Sequence, residues 1–264
     1  MPLNVPGLLV PFQLLFSPRL VLPNVIKDIR HIDFAALYQA GYRGAIFDKD
    51  NCLARPHKDT IVPEIQDAWQ ECRKTFGEGN VLIVSNSAGT YLDPGQIQCE
   101  SVTHNIGVPV LRHKSFKPAY SCITAIRGYF SSLHFPIRDE ELVIIGDRVF
   151  TDVVMANRMR QRKESQGLVK MALNRGYEDE GGRGREKDTA SGGPRGPLAV
   201  WTTDVWEKEN MALRWCEKRL VDVVRRWTRE KDEESQSQFV REPAQHSVSG
   251  NWGTAGLFGR LRKS

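Results

Sequence analysis

Three short apolar runs, each followed within two residues by a polar side chain, constrain this chain more than any other feature of its sequence. The runs cover residues 45–47, 81–84 and 142–145, and polar side chains follow them at Asp48, Ser85 and Asp147. Runs of this length and composition are typical of strands buried on both faces of a parallel sheet. Because the carboxyl ends of parallel strands share one edge of the sheet, we expect these polar side chains to meet there.

The segments between the runs have the spacing of helices. Apolar residues recur at helical intervals over residues 61–76, and helices are also predicted over 118–130 and 151–160. Residues 105–111 contain another predicted short strand, with Val108 and Val110. This alternation predicts an α/β fold, in which a parallel sheet is flanked by helices and the crossovers are right-handed.

The carboxyl-terminal part of the chain has a further strand and a long helix. A late strand is predicted at 198–200, followed by an amphipathic helix over 204–227 that Asp204 could cap. Its three tryptophans could touch a membrane, but we predict that they dock on the domain; they are Trp206, Trp215 and Trp227.

Composition sets loose limits on function. The chain has 264 residues, 40% of them hydrophobic, which is enough for one α/β domain of ordinary size. The formal net charge of +5 suits an anionic substrate or an anionic membrane surface. Five dispersed cysteines argue against a disulfide scaffold or a zinc cluster and favour a reducing compartment.

The carboxylates at the strand ends suit phosphoryl transfer. Asp48 and Asp50 leave the first strand together, so one can attack phosphorus and form an aspartyl phosphate while the other transfers protons. Asp147 and Asp152 add further acids, and so many carboxylates would repel a phosphate unless a hard cation such as Mg²⁺ neutralised them. Lys117 supplies a positive charge for the phosphate and the nucleophile.

Four motifs in order resemble those of the haloacid dehalogenase superfamily. They are Asp48-Lys49-Asp50-Asn51-Cys52, Ser85, Lys117-Pro118 and residues 146–152. The resemblance implies a Rossmann-like fold and a phosphatase activity. The first motif of the superfamily usually has Thr or Val at the position of Cys52, and this departure removes no catalytic group.

The same resemblance implies a role for each site residue. Asp48 is expected to be the nucleophile and Asp50 the general acid/base, with Lys117 stabilising the transferring group. Ser85 and Asn86 are expected to bind the phosphoryl group. The expected Mg²⁺ ligands are Asp48, the backbone carbonyl of Asp50, and Asp147, with Asp152 supporting the metal site.

The spacing of the motifs bears on the substrate. Superfamily members with large caps insert them after the first or second motif, but here both stretches are filled by the helix and strand of the core. We therefore expect a minimal cap or none, and an open site that suits a large substrate presented by a surface.

Segments flanking the motifs resemble the family of mitochondrial phosphatidylglycerophosphate phosphatases of fungi and plants. The similarity lies in residues 22–29, 32–44 and 201–204 and in the helix with Arg214 and Glu217. It implies a magnesium-dependent phosphatidylglycerophosphatase that forms phosphatidylglycerol in cardiolipin biosynthesis. It also implies a phospholipid substrate and peripheral association with an anionic membrane, at the matrix face of the mitochondrial inner membrane.

The predicted organisation has a phosphatase domain between two less regular ends. Residues 1–30 form an apolar arm interrupted by proline, which argues against a spanning helix; the arm either enters one face of a membrane or packs on the domain. The domain covers 31–228 with a flexible insert at 176–197, and 229–264 form a polar tail predicted to be disordered.

Two other functions stay open at this point. One is a soluble phosphatase that acts on a nucleic-acid end, a phosphoprotein or a sugar phosphate. The other is a non-enzymatic scaffold that keeps the fold, although the presence of both Asp48 and Asp50 weighs against it. No basic patch with interleaved aromatics is present, so we expect no nucleic-acid partner. The sequence predicts no particular oligomeric state.

Overall fold

A five-stranded parallel sheet forms the centre of the molecule. The computed structural model describes residues 18–160, 196–208, 211–228 and 239–242, together with positions 7 and 10. The predicted insert at 176–197 lies almost wholly outside these residues, as does most of the tail. The strands are β1 (Asn24–Ile26), β2 (Gly44–Phe47), β3 (Val81–Ile83), β4 (Leu142–Gly146) and β5 (Leu198–Thr202). All their pairings are parallel, in the order β1-β5-β4-β2-β3, which confirms the predicted α/β fold.

Helices cover both faces of the sheet. They are α1 (Phe34–Gln39), α2 (Gln66–Phe76), α3 (Ile97–Ile106), α4 (Tyr120–Ser131), α5 (residues 154–160) and α6 (Met211–Thr228). Buried residues of α1, α2 and α3 belong to one hydrophobic cluster, and those of α4, α5 and α6 belong to a second cluster on the other side.

Side chains of the central strands alternate between these two clusters. In β2, Ala45 and Phe47 join the first cluster and Ile46 joins the second. The Phe47 ring meets that of Trp69 from α2 edge-on, with centroids 5.1 Å apart. Because both faces are covered, every residue of β2 and β4 is buried, which explains why these strands are uninterrupted apolar runs.

The two stretches that could carry a cap contain only core elements. Residues 48–80 include one α-helix, α2, and residues 84–116 include one, α3. Both helices pack into the first cluster through buried residues such as Trp69 and Val102. This confirms the expectation of a minimal cap or none.

The sheet begins earlier than the predicted domain boundary. Asn24–Ile26, placed in the N-terminal arm by the prediction, pair with β5 in the register Asn24↔Val200. Val21 and Ile29 on either side are fully buried. A strand of three residues with an exposed Val25 gives no periodic signal, so the sequence did not distinguish it from the arm.

Two other element predictions are corrected. The short strand predicted within 105–111 is reduced to a single bridge between Val110 and Ile83, because α3 continues through Ile106. Residues 203–208 form a loop, so Asp204 does not cap α6. Its backbone N–H donates instead to the Lys27 carbonyl at 2.9 Å, which ties this loop to the end of β1.

The tryptophan prediction is confirmed for one residue and wrong for two. Trp206 packs against the first cluster, but Trp215 and Trp227 on α6 are 60% and 75% exposed. The helix buries a different stripe, made of Arg214, Glu217, Val221 and Val224. None of the helices in the described ranges is long and apolar enough to cross a membrane.

Four residues of the predicted polar tail lie against the domain. Val240 forms an antiparallel bridge with Ile32, and the Phe239 ring packs edge-on against Tyr42 at 6.0 Å. Arg241 forms an ion pair with Glu71 on α2 at 2.5 Å. The aromatic ring and this pair give the short segment a place on the domain, so 239–242 depart from the disorder predicted for 229–264.

Candidate active site

A buried lysine joins two carboxylates at the carboxyl edge of the sheet. Asp48 directly follows β2, and its backbone N–H donates to the carbonyl of Ile145 in β4 at 2.9 Å. The Lys117 ammonium lies 2.9 Å from Asp48 Oδ1 and 2.7 Å from Asp152 Oδ1, and all three side chains are largely or fully buried. The first, third and fourth motifs of the sequence therefore meet in one ion network.

The same two carboxylates, together with Asp147, form a group that fits a divalent cation. Oxygens of Asp48, Asp147 and Asp152 lie within 4.8 Å of one another. Asp147 Oδ1 is buried and has no hydrogen-bond partner among the described residues, whereas Oδ2 pairs with Arg214. A buried oxygen without a donor is costly unless a cation binds it, and carboxylate oxygens suit Mg²⁺. The residues present thus fit the expected metal.

The electrostatics of the cluster favour the same conclusion. Burial raises the pKa of Asp48 to about 8, with Asp152 and Asp147 acting in the same direction and Lys117 opposing them. Burial and the neighbouring Asp152 also raise the pKa of Asp147. For Lys117, burial disfavours the charged form, but the two carboxylates outweigh it and raise its pKa. If Asp48, Asp147 and Asp152 are all ionised, their three negative charges face only the two positive charges of Lys117 and Arg214, so a bound cation would favour their ionised forms.

Asp50, two residues after Asp48, also lines the cavity at this edge. Its carboxylate accepts from the Ser87 hydroxyl at 2.8 Å and forms an ion pair with Lys49 at 2.8 Å. Lys49 is fully buried and also donates to the Lys58 carbonyl at 3.0 Å, so it holds the carboxylate in place. The Asp50 carboxylate is not one of the three clustered acids, which agrees with an expected metal contact through its backbone carbonyl alone.

The cavity beside these groups has a volume of about 450 Å³. Asp48, Asp50 and Asp147 line it together with Asn86 and Ser87. Ser85, which stays a prediction for binding the phosphoryl group, is fully buried, and its hydroxyl lies 2.9 Å from that of Ser87. Asn86 accepts from the Lys117 backbone N–H at 2.7 Å, so the second and third motifs are joined here.

A glycine makes room for one of the acids. A Cβ atom at Gly146, the last residue of β4, would lie 2.6 Å from Asp152 Cβ and overlap its carboxyl group. Asp152 also accepts from the Thr151 hydroxyl at 3.0 Å. A side chain at Gly146 would therefore displace Asp152, so glycine is required there by packing.

Three residues near the site were not predicted from the sequence to act there. Lys49 and Ser87 were visible as neighbours of the predicted residues, but nothing in the sequence showed that they contact Asp50. Arg214 comes from α6, where its guanidinium pairs with Asp147 Oδ2 and donates to the Asp147 carbonyl at 3.2 Å. Its only signal was the resemblance of this helix to the family's carboxyl-terminal segment.

Glu217, one turn further along α6, supports the same region. Its carboxylate accepts from the Phe150 backbone N–H at 3.4 Å, and burial raises its pKa to about 7. Helix α6 therefore reaches the fourth motif through two buried side chains.

A parallel sheet with an aspartate pair after β2, a lysine bound to the first aspartate and two further acids after β4 defines a haloacid dehalogenase-type protein. Within that class, the model of the family described as "Mitochondrial PGP phosphatase" matches residues 5–162, and the chain belongs to this family.

Individual relatives agree with this family. The chain is 34% identical over 157 residues to "Phosphatidylglycerophosphatase GEP4, mitochondrial" of Saccharomyces cerevisiae, covering 60% of this chain and 83% of the yeast protein. It is 35% identical over 159 residues to "Phosphatidylglycerophosphate phosphatase 1, chloroplastic/mitochondrial" of Arabidopsis thaliana, covering 59% of this chain and 44% of the plant protein.

A bacterial protein is a more distant relative. "Probable phosphatase YqeG" of Bacillus subtilis is 28% identical over 134 residues, which cover 50% of this chain and 69% of the bacterial protein. No solved structure matches the chain.

Proposed function

We propose that this protein is a magnesium-dependent phosphatase that hydrolyses phosphatidylglycerophosphate to phosphatidylglycerol, a step of cardiolipin biosynthesis. The observation that carries the proposal is the buried contact of Asp48 with Lys117, beside the cavity that Asp50 also lines. The names of the relatives, which describe phosphatases of this lipid, support the choice of substrate.

The first half of the reaction uses Asp48 and Asp50. Asp48 attacks phosphorus and forms an acyl-phosphate bond, while the bond from phosphorus to the glycerol oxygen breaks. Asp50 gives a proton to the departing oxygen, and its contacts with Lys49 and Ser87 orient it for this transfer. Lys117 fixes Asp48 in position and balances the charge that accumulates on the phosphoryl oxygens.

The second half regenerates the enzyme. Asp50, now a carboxylate, removes a proton from water, which attacks the phosphorus of the acyl phosphate and releases inorganic phosphate and free Asp48. Asn86 and Ser87 line the cavity where the phosphoryl oxygens would lie, so their polar groups are suited to hold them. Asp48, the Asp50 backbone carbonyl and Asp147, with Asp152 in support, would hold Mg²⁺, whose charge would neutralise the acids and favour the ionised form of Asp48.

The openness of the site fits a lipid. Residues 48–80 and 84–116 add no domain over the cavity, so a headgroup can enter without the rest of the lipid being enclosed. The proposed location is peripheral, on the matrix face of the mitochondrial inner membrane. Relatives named as mitochondrial and the net charge of +5 support this placement.

Phosphate release by the purified protein tests the proposal. Phosphatidylglycerophosphate in mixed micelles with Mg²⁺ is compared with a soluble nucleoside monophosphate, and a chelator sample and an Asp48→Asn variant run in parallel. Asp222→Asn, an exposed change on α6, is the matched control. We expect strong release from the lipid that is lost with chelator and with Asp48→Asn but kept with Asp222→Asn.

Two other results would redirect the assignment. Preference for the soluble ester would keep the aspartate chemistry and contradict the lipid substrate. No release from either substrate, with folding of the protein verified, would favour the scaffold function.

A further inference from the structure

The mouth of the cavity has an exposed apolar rim. We use this name for Tyr91, Leu92 and Ile97, which belong to the segment after β3 and are 61%, 41% and 73% exposed. Leu92 lines the cavity, and the Tyr91 ring packs 5.1 Å from that of Phe116, which also lines it. Large apolar side chains gathered around a binding site are a sign of an interaction surface.

The rim is held in place rather than free to fold inward. The buried Asp93 side chain accepts backbone hydrogen bonds from Gly89, Gln98 and Cys99 at 3.1, 2.9 and 2.7 Å. The Gly89 carbonyl in turn accepts from the His113 backbone N–H at 2.9 Å, which fixes the rim segment beside residues 110–117. The exposure of the rim is therefore built into the fold.

Basic side chains flank the rim on this neighbouring segment. Arg112 and Lys114 are exposed on either side of the buried His113. Glu100 lies 3.6 Å from Arg112, but both side chains are mostly exposed and the pair is weak. Exposed aromatic and aliphatic side chains beside lysine and arginine have the composition of surfaces that bind anionic bilayers.

We propose that the apolar rim, with Arg112 and Lys114, docks this protein on an anionic phospholipid bilayer so that the cavity opens toward the headgroups. This inference rests on the proposed function and identifies the surface through which that substrate arrives. With the rim in the headgroup region, a terminal phosphate reaches Asp48 while its acyl chains stay in the bilayer. Apolar burial holds the protein at the surface, and the basic pair selects for negative charge.

Helix α6 offers a second exposed apolar surface, which serves as a control. Arg214 lies at Asp147, but Arg225 donates to the Pro23 carbonyl at 2.9 Å, just before β1 begins. The helix therefore runs from the cavity edge of the sheet to the opposite edge. Trp227, beside that far end, is as exposed as Ile97 but distant from the cavity.

Flotation with vesicles tests the docking surface. The full-length protein and its Ile97→Glu, Arg112→Glu/Lys114→Glu and Trp227→Glu variants are mixed with vesicles of phosphatidylcholine alone or with phosphatidylglycerol added. We expect the wild type to float only with the anionic vesicles and Ile97→Glu to bind them about ten- to a hundredfold more weakly, since it loses the burial of one isoleucine. The double charge variant should also lose binding, and Trp227→Glu should bind like the wild type.

Turnover separates docking from chemistry. Ile97→Glu should hydrolyse a soluble monoester or micellar phosphatidylglycerophosphate at the wild-type rate and lose activity on vesicles in proportion to binding. Equal binding by Ile97→Glu and the wild type, or equal loss in Trp227→Glu, would overturn the docking surface. A wild type that forms a dimer, dissociated by Ile97→Glu in size-exclusion chromatography, would assign the rim to a second copy of the chain instead.

The experiments distinguish a failure of the docking surface from a failure of the proposed function. Hydrolysis in micelles without flotation on anionic vesicles would leave the proposed function intact and overturn the docking surface. Flotation that depends on Ile97, without hydrolysis of the lipid in micelles, would support the docking surface and overturn the proposed function.

Discussion

Replacing Arg214 with methionine should strongly destabilise the metal-free protein. The guanidinium and the Asp147 carboxylate form an ion pair in which the side chains are only 9% and 2% exposed, so solvent screens the pair little. Removing one partner of a buried pair leaves an uncompensated charge and typically costs about 3–5 kcal/mol. Because Asp147 Oδ1 has no hydrogen-bond partner in the described part of the chain, the remaining carboxylate would have little local compensation.

Urea denaturation in the presence of a chelator measures this effect. Arg214→Met should lose about 3–5 kcal/mol of unfolding free energy, and adding Asp147→Asn should restore part of it by removing the unpaired charge. Arg219→Met, an exposed change on the same helix, should cost less than about 0.5 kcal/mol. Saturating Mg²⁺ should reduce the loss in Arg214→Met, because the cation gives Asp147 another compensating charge.

A free energy of unfolding of Arg214→Met within about 1 kcal/mol of the wild type would contradict a stabilising pair between Arg214 and Asp147. A further loss on adding Asp147→Asn to Arg214→Met would contradict it equally. Either result would mean that the helix does not stabilise this acid.

Three further changes test other parts of the site. The folded pKa of Asp48 lies above its ordinary 3.8, at about 8, so the folded metal-free protein keeps a proton that the unfolded chain loses. The free energy of unfolding should therefore fall as pH rises between these values, by up to about 1.4 kcal/mol per pH unit. Melting temperatures measured over a pH series with chelator present should fall less for Asp48→Asn than for the wild type. Gly146→Ala, which overlaps Asp152, should cost about 1–3 kcal/mol in chemical denaturation, whereas Gly128→Ala, in an open helical position, should be neutral or stabilising. Lys49→Met should lower kcat on a soluble monoester by about 10²-fold without abolishing Mg²⁺ binding in calorimetry, because it releases the proton-transferring carboxylate from its orientation.

The central sheet and the acids at its edge were predictable because of how they are buried. Strands covered on both faces must be apolar at every position, so β2 and β4 appear in the sequence as continuous runs. The residue after each run is then fixed at the carboxyl edge. Asp48 and Asp147 meet for this reason, although they lie on different strands.

The features that were missed depend on contacts between distant parts of the chain. Arg214 and Asp147 are 67 residues apart, and no local pattern indicates that they pair. The start of α6 was misplaced because Asp204 has a suitable capping side chain, but its backbone is held by Lys27 at the end of β1. Similarly, Ser85 and Ser87 are both suitable phosphate ligands by type, and only the packing below the cavity shows which one is buried.

Trapping the covalent intermediate tests the central assignment most directly. Phosphatidylglycerophosphate labelled in its terminal phosphate is mixed with the enzyme and Mg²⁺, quenched with acid during the first turnover, and the labelled peptide is located by mass spectrometry. We predict a phosphoryl group on Asp48 that is absent from Asp48→Asn and from chelated enzyme. A phosphoryl group on another residue, or full turnover with no labelled protein at any time, would contradict the account.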